Sequence, residues 1–367
     1  MKLKVLFILP SLHAGGAENY ALRFIRYCGD YRFDWHVLSL NLQKGDLHEA
    51  FIQSGCTVHY QSAGYFNPCK AYRLYKLFKK EEYDAVCTFN GNFGGLSLSI
   101  ARMAGVPNRI AWHRRSSDAF GKNPVKKLYN QFVNRLIRLN ATAVLSNSKH
   151  AFNTFYGSYF KRDLRFKVIP NGVDAAKFKT EFTKEEARNR LNIPDNIFLI
   201  GHVGRYDPAK NHETIFKVAA VLKKTNSNVR FLFCGKDTAG VRFKNRLKAH
   251  GIEDICFAIG LTDELPLILK AMDLFYFPSL TEGQPNAMIE AMVAGVPVLP
   301  ADIPPILEAL PKKAKTIEAI DVKSTVVQIS RFIREPSLLD NLIYKQWAIG
   351  RFDYEKNFEL FKCELNG

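Results

Sequence analysis

A chain of 367 residues, 47% hydrophobic and 24% charged, has an ordinary globular composition and enough length for two cores of usual size. It contains no apolar run of 18 residues that could cross a membrane, and its seven cysteines form no Cys-x-x-Cys pair, which argues against a disulfide framework or zinc site and for a reducing cytoplasm. The formal charge of +17 calls for an anionic partner, whether nucleic acid, a membrane surface or phosphorylated substrates.

The start, MKLKVLFILPSL, joins basic residues to a short apolar run. No small-residue cleavage pattern follows, so a buried strand is expected there rather than a leader. KVLFILP (4–10) ends in a glycine-bearing turn, and ENYALRFIRYC has helical spacing. DWHVLSLN, CTVHY, AVCTFN, RIAWH and ATAVLSNS then predict strands; AYRLYKLFKKEEYD, LSLSIARMAGVP and the basic PVKKLYNQFVNRLIRLN predict the helices between them. After VIPNGVD (168–174) the alternation restarts. IFLIGHVG, VRFLFCG, ICFAIG and LFYFPS read as strands, and HETIFKVAAVLKK, VRFKNRLKAHG and ELPLILKAMD as helices. Strands alternating with helices imply parallel sheets covered on both faces. Two such runs imply two doubly wound domains, with a boundary near 170–190 where TEFTKEEARNRL is polar. The tail YKQWAIGRFDYEKNFELFKCELNG reads as amphipathic helix.

Four stretches carry candidate chemistry. Gly15 and Gly16 lie between a strand and a helix, where a bare backbone either admits a ligand or simply makes a tight turn; Glu18 then suits the first helical turn. His113 ends an apolar strand, followed by Arg114 and Arg115; these three could meet a hydroxyl and a phosphate, or be solvated loop residues. Arg205 and Lys210 follow a buried strand, a planar fork and a mobile point charge suited to a diphosphate, or else a solvated turn. PSLTEGQPNAMIEAMVAGVPVLP (278–300) predicts a loop, then a short helix with Pro285 at its first position and Gly295 and Pro297 ending it. Amides of Gly283–Asn286 then make an anion site at the helix start. Glu282 precedes that helix and Glu290 lies within it. Two such acids need partners, either hydroxyls of one ligand or nearby cations.

Together these stretches resemble the family 4 retaining glycosyltransferases of the GT-B fold, over most of the chain. PSLTEGQPNAMIEAMVAGVPVLP is similar to that family's E-x7-E segment, VIPNGVD to its domain crossing, GHVGRYDPAKNHE to its G-R-L-x-x-x-K-G stretch, and GGAE and RFDYEKNFELF to its two ends. The resemblance implies an α/β chain of two Rossmann-like doubly wound domains whose parallel sheets face across a deep cleft. Residues 1–175 would form an acceptor-binding domain and 176–345 a nucleotide-sugar-binding domain, with 346–367 packing back on the first. It implies catalytic roles for His113, Glu282, Arg205 and Lys210. Donor contacts would come from Gly16, Arg205, Lys210, Glu282, Gly283, Gln284, Pro285, Asn286 and Glu290, with Glu282 on sugar hydroxyls and Glu290 on the ribose. Acceptor contacts would come from Gly15, Arg114 and Arg115. Three departures stand out: Asn211 for the glycine after the lysine, Gln284 after Glu-Gly, and Pro304–Pro305 in a loop (302–308) where glycines are usual.

The implied reaction moves a hexose-type sugar, with retention, from a nucleotide diphosphate sugar to a glycan or lipid-diphosphate-linked acceptor in polysaccharide biosynthesis. No cofactor and no metal are expected, because fixed cations meet the leaving charge. Basic and apolar residues interleave in KLFKK, HRRSS, KNPVKKLYNQFVNRLIRLN and FKRDLRFK, either as a solvated face or, as the net charge favours, to seat the chain on an anionic membrane surface on the cytoplasmic side. The alternatives are a nucleotide-sugar epimerase on the same architecture and a basic nucleic-acid-binding protein. No helix-turn-helix, zinc or RNA-binding signature supports the latter.

Overall fold

The computed structural model describes residues 2–29, 31–62, 67–114, 124–312, 314–339 and 342–366. The chain divides into two compact units: Met1–Asn171 with Glu355–Gly367, and Gly172–Tyr354.

The first unit holds a seven-stranded sheet. Its strands are β1 (Leu3–Leu9), β2 (Phe33–Ser39), β3 (Thr57–Tyr60), β4 (Ala85–Thr88), β5 (Asn108–His113), β6 (Ala143–Ser146) and β7 (Phe166–Val168). They lie in the order β3-β2-β1-β4-β5-β6-β7, and every pairing is parallel. Helices cover both faces, so inner strands are apolar without alternation; Val5–Leu9 are all fully buried. The helix Tyr354–Leu365 closes one face. Phe361 meets Trp112 at 4.1 Å and Phe24 at 4.4 Å between ring centroids, and Phe358 meets Tyr20 at 5.3 Å.

The second unit is a five-stranded parallel sheet of β8 (Phe198–Val203), β9 (Val229–Cys234), β10 (Cys256–Gly260), β11 (Leu274–Phe277) and β12 (Val298–Pro300), ordered β10-β9-β8-β11-β12. One face packs on the helices His212–Thr225, Val241–Ala249 and Val322–Arg334, the other on Leu265–Ala271 and Asn286–Ala294. The chain order reverses between β8 and β11. That is the switch point at which an open α/β sheet leaves a crevice beyond its strand ends.

Sequence periodicity misses β7 and the helix Val322–Arg334. Three residues are too short to show a period, while the helix buries only Thr325, Ile329 and Phe332, at i, i+4 and i+7. The glycine of VIPNGVD has a direct cause: a Cβ on Gly172 would stand 2.1 Å from Tyr354 Cα, because the chain enters this unit beside the point where it leaves. Pro304 and Pro305 differ from the stiffened loop expected of them. They start the helix Pro304–Ala309, where a missing N–H costs nothing.

Candidate active site

In the second unit, the end of β8 and the segment after β11 bring two of the expected residues into contact. Lys210 Nζ donates to Glu282 Oε1 at 2.6 Å, with the two side chains 20% and 9% exposed. Of the two partners open to Glu282, the structure shows the cation. The ammonium also lies 5.1 Å from the centre of the Phe277 ring. Arg205 does not join them. It is 68% exposed and points its Nε at Asp207 Oδ2, 3.5 Å away.

The turn that presents Lys210 is over-determined. Asp207 Oδ1 accepts from the Ala209 amide at 2.9 Å, and the Leu280 amide donates to Ala209 O at 2.8 Å. Asn211, the departure from glycine, adopts φ 57, ψ 41, a left-handed conformation that asparagine tolerates better than most residues. Its carboxamide donates to Pro278 O (3.1 Å) and Ala319 O (2.8 Å), and its Oδ1 accepts from Thr214 Oγ1. Asn211 therefore provides the turn that glycine would and also ties it to the end of β11.

The helix Asn286–Ala294 starts one residue later than expected. Pro285 is its cap rather than its first residue, and Gly295 at φ 82 ends it in the left-handed region. The expected amide cradle is correspondingly narrower. Pro285 has no N–H, and the Asn286 amide already donates to Gln284 O at 2.9 Å. Gly283 and Gln284 stand half-buried before the helix, and Glu290 half-buried within it. Periodicity gives no sign of Ser279, whose hydroxyl is buried just before Glu282 without a hydrogen-bond partner among the described residues.

In the first unit, Gly15 caps the helix Gly16–Cys28 with extended backbone. Its lack of a side chain answers to space: a Cβ would meet Glu18 Oε2 at 2.4 Å, so the Glu18 carboxylate occupies that volume and is itself buried. Gly16 has nothing within 4 Å of where its Cβ would stand and is open to approach. Asp46, which the sequence patterns do not single out, braces this turn by accepting from the Ala14 amide at 3.2 Å and lying 3.5 Å from His13 Nδ1.

His113 ends β5 as expected but is wholly buried. Its Nε2 pairs with the Tyr156 hydroxyl at 2.8 Å. Its Nδ1 has no partner among the described residues and faces Gly91, where a Cβ would stand 3.6 Å away. Burial pushes its pKa down to about 3, so the ring is neutral at physiological pH. Arg114 does not project as a solvated phosphate ligand. Its guanidinium stacks 3.9 Å from the centre of the Tyr20 ring and 5.4 Å from that of Trp112, and burial lowers its pKa to about 10. Arg115 lies outside the described residues.

Residues 14–177 match the family model described as Glycosyltransferase Family 4, and residues 183–346 match the one described as Glycosyl transferases group 1. The two matches succeed one another along nearly the whole chain, which belongs to these glycosyltransferases. Among its relatives, the capsular polysaccharide biosynthesis glycosyltransferase CapH of Staphylococcus aureus is 29% identical over 79% of this chain and 78% of its own. The UDP-Gal:alpha-D-GlcNAc-diphosphoundecaprenol alpha-1,3-galactosyltransferase of Escherichia coli is 30% identical over 63% of this chain and 60% of its own. The solved structure of HepE from Anabaena, in complex with UDP and glucose, superposes with a TM-score of 0.80 at 18% identity, covering all of both chains. The fold is therefore GT-B, and the chain is a glycosyltransferase. An epimerase or a nucleic-acid-binding protein is not what these matches favour.

The buried neutral histidine makes the fold acid-sensitive. An unfolded histidine titrates near 6.5 and folded His113 near 3, so the unfolded chain binds the extra proton between these values. The stability is fully present above pH 6.5 and is lost as pH falls toward 3, by up to about 1.4 kcal/mol per pH unit from this group. His212, pushed down to about 4 by burial and by Lys210, acts in the same direction. Urea unfolding of the native chain at pH 7, 6 and 5 should show this decline, and His113→Gln should flatten it; identical slopes for the two proteins would contradict the assignment.

Proposed function

We propose that the chain transfers a hexose-type sugar, with retention and without a metal ion, from a nucleotide diphosphate sugar to a glycan or lipid-diphosphate-linked acceptor in polysaccharide biosynthesis. The Lys210–Glu282 pair carries this reading. A cation held at a strand end by a carboxylate is stored in place until a better anion arrives. When the diphosphate binds, Lys210 turns to it and Glu282 is released to accept from sugar hydroxyls. Exposed Arg205 closes on the same phosphates, and amides before the helix Asn286–Ala294 add fixed donors. Negative charge grows on the leaving diphosphate as the sugar bond breaks. Donors already aimed at that charge lower the barrier without a Lewis acid.

Glu290 takes the ribose hydroxyls and Gly16 admits the donor phosphate. His113, neutral and with Nδ1 unpartnered among the described residues, hydrogen-bonds the sugar near the reacting carbon; Gly15 and Arg115 serve the acceptor, while Arg114, stacked on Tyr20, braces the strand end instead. The UDP and glucose bound to HepE support a nucleotide-sugar donor. The diphosphoundecaprenol acceptor in the name of the Escherichia coli relative supports a lipid-linked acceptor. A thermal-shift screen against UDP-, GDP- and ADP-sugars should pick out one nucleotide by a clear rise in melting temperature. Glu290→Ala should weaken that nucleotide at least tenfold by calorimetry, and Lys210→Ala should lower kcat about 100-fold with EDTA having no effect on the native enzyme. Unchanged nucleotide affinity in Glu290→Ala rejects the ribose role, and loss of turnover in EDTA rejects metal independence. Donor consumption at the full rate without any acceptor would favour the epimerase reading instead.

A face of the first unit supports work at an anionic membrane. Among the described residues no helix is long and apolar enough to cross one. On the helix Pro124–Asn140, Leu128, Phe132 and Leu139 are exposed in a stripe with Arg135 and Arg138. Arg102 donates to Leu139 O at 2.8 Å, which brings exposed Met103 alongside, and Arg165 donates to Arg138 O at 2.9 Å, which brings in Leu164, 93% exposed. Lys161 and Arg162, also exposed, closely precede Leu164 in the chain. Exposed apolar side chains ringed by cations suit an anionic bilayer surface. The chain should co-sediment with phosphatidylglycerol vesicles and not with phosphatidylcholine vesicles, and Phe132→Glu with Leu164→Glu should abolish it. Equal retention of the double variant would refute this face.

A further inference from the structure

The turn between Arg205 and Lys210 borders a second space. A cavity of roughly 350 Å3 opens beside it, lined by Tyr206, Asp207, Pro208, Asn211, His212, Glu213, Arg242 and Leu280. None of the residues assigned above to the donor lines it. We propose that this cavity is a sugar subsite for the acceptor glycan, an inference that rests on the transferase reading of the neighbouring turn.

The lining has the mixed character that a sugar ring requires. Tyr206, Pro208 and Leu280 offer apolar surface to ring C–H groups. The tyrosine is held edge-on to Phe243 at 5.0 Å and to His212 at 5.3 Å, so its position is set before any ligand arrives. Asp207 and Glu213 supply acceptors for hydroxyl groups. Both are already anchored, Asp207 by the Ala209 amide and Glu213 by Arg246 through bonds of 2.9 and 2.6 Å, yet a carboxylate has lone pairs to spare. Donors come from exposed Arg242, 5.5 Å from the Tyr206 ring, and from the first turn of the 14-residue helix His212–Thr225, whose cap makes no side-chain bond to it. His212 points the same way. It lines the cavity at 2% exposure, and neither ring nitrogen has a hydrogen-bond partner among the described residues.

Other ligand classes fit less well. Two carboxylates repel a phosphate or an acidic group, and buried polar atoms without partners disfavour a purely apolar ligand. The volume sits at the lower end of small-molecule sites, about one or two sugar rings. Its place beside the turn that holds the donor phosphates suits a sugar of the acceptor.

The test uses saturation-transfer NMR on the full chain with the methyl α-glycosides of glucose, galactose and N-acetylglucosamine. At least one should bind at millimolar concentration, and both Tyr206→Ala and Leu280→Trp, which fills the mouth, should weaken it tenfold or more. Nucleotide-induced thermal stabilisation should persist in Leu280→Trp and serves as the check on folding. No signal from any of the three glycosides, or a signal unchanged in folded Leu280→Trp, overturns the proposal. So does loss of nucleotide binding in that variant, which would make the cavity part of the donor site. Failure of the native chain to bind any nucleotide sugar would instead count against the donor reading and is separately visible.

Discussion

A single ion pair organises the second unit's strand ends. Lys210 and Glu282 are 72 residues apart in sequence and 2.6 Å apart in space. Neither is fully solvated, so each would be costly to leave alone at this depth. The surrounding construction serves the pair: Asn211 in its left-handed conformation, its amide bonds to the β11 end and to Ala319, and the Asp207 cap. In the proposed reaction a catalyst of phosphate departure needs a cation placed in advance, and a carboxylate beside it keeps that cation neutralised. Glu282, proposed above to accept from the sugar, would meet both needs.

The same turn has two consequences. Toward Glu282 it presents the cation; beside Tyr206 and Asp207 it borders a cavity of mixed apolar and polar lining. Donor and acceptor contacts drawn from one short turn would couple their positions, because displacing Tyr206 disturbs the segment on which Lys210 stands. In the first unit the order is similar. Gly15 is small to admit the Glu18 carboxylate, and Asp46 holds the loop before it, so a backbone turn open at Gly16 is fixed from two sides.

Much of the fold was legible in the sequence because parallel strands buried on both faces are continuous apolar runs, such as Val5–Leu9 and Phe275–Phe277. The helix Asn286–Ala294 was legible to within a residue from its proline and glycine boundaries. What was not legible is what depends on distant segments. Nothing local to Glu282 indicates Lys210 as its partner, and nothing local to Gly15 indicates that Glu18 folds back into its space. Arg114 reads as a solvated cation until Tyr20, more than ninety residues earlier, is seen beneath it. Asn211 reads as a departure from glycine until its φ and its two carbonyl partners are known.

We propose that Glu282 holds Lys210 in reserve for the diphosphate. The most direct measurement is a calorimetric titration of the preferred nucleoside diphosphate, without its sugar, against the native chain and Glu282→Gln. With the competing carboxylate neutralised and no sugar for it to bind, the variant should bind severalfold more tightly. Unchanged or weaker binding would contradict it and make the pair a structural bridge.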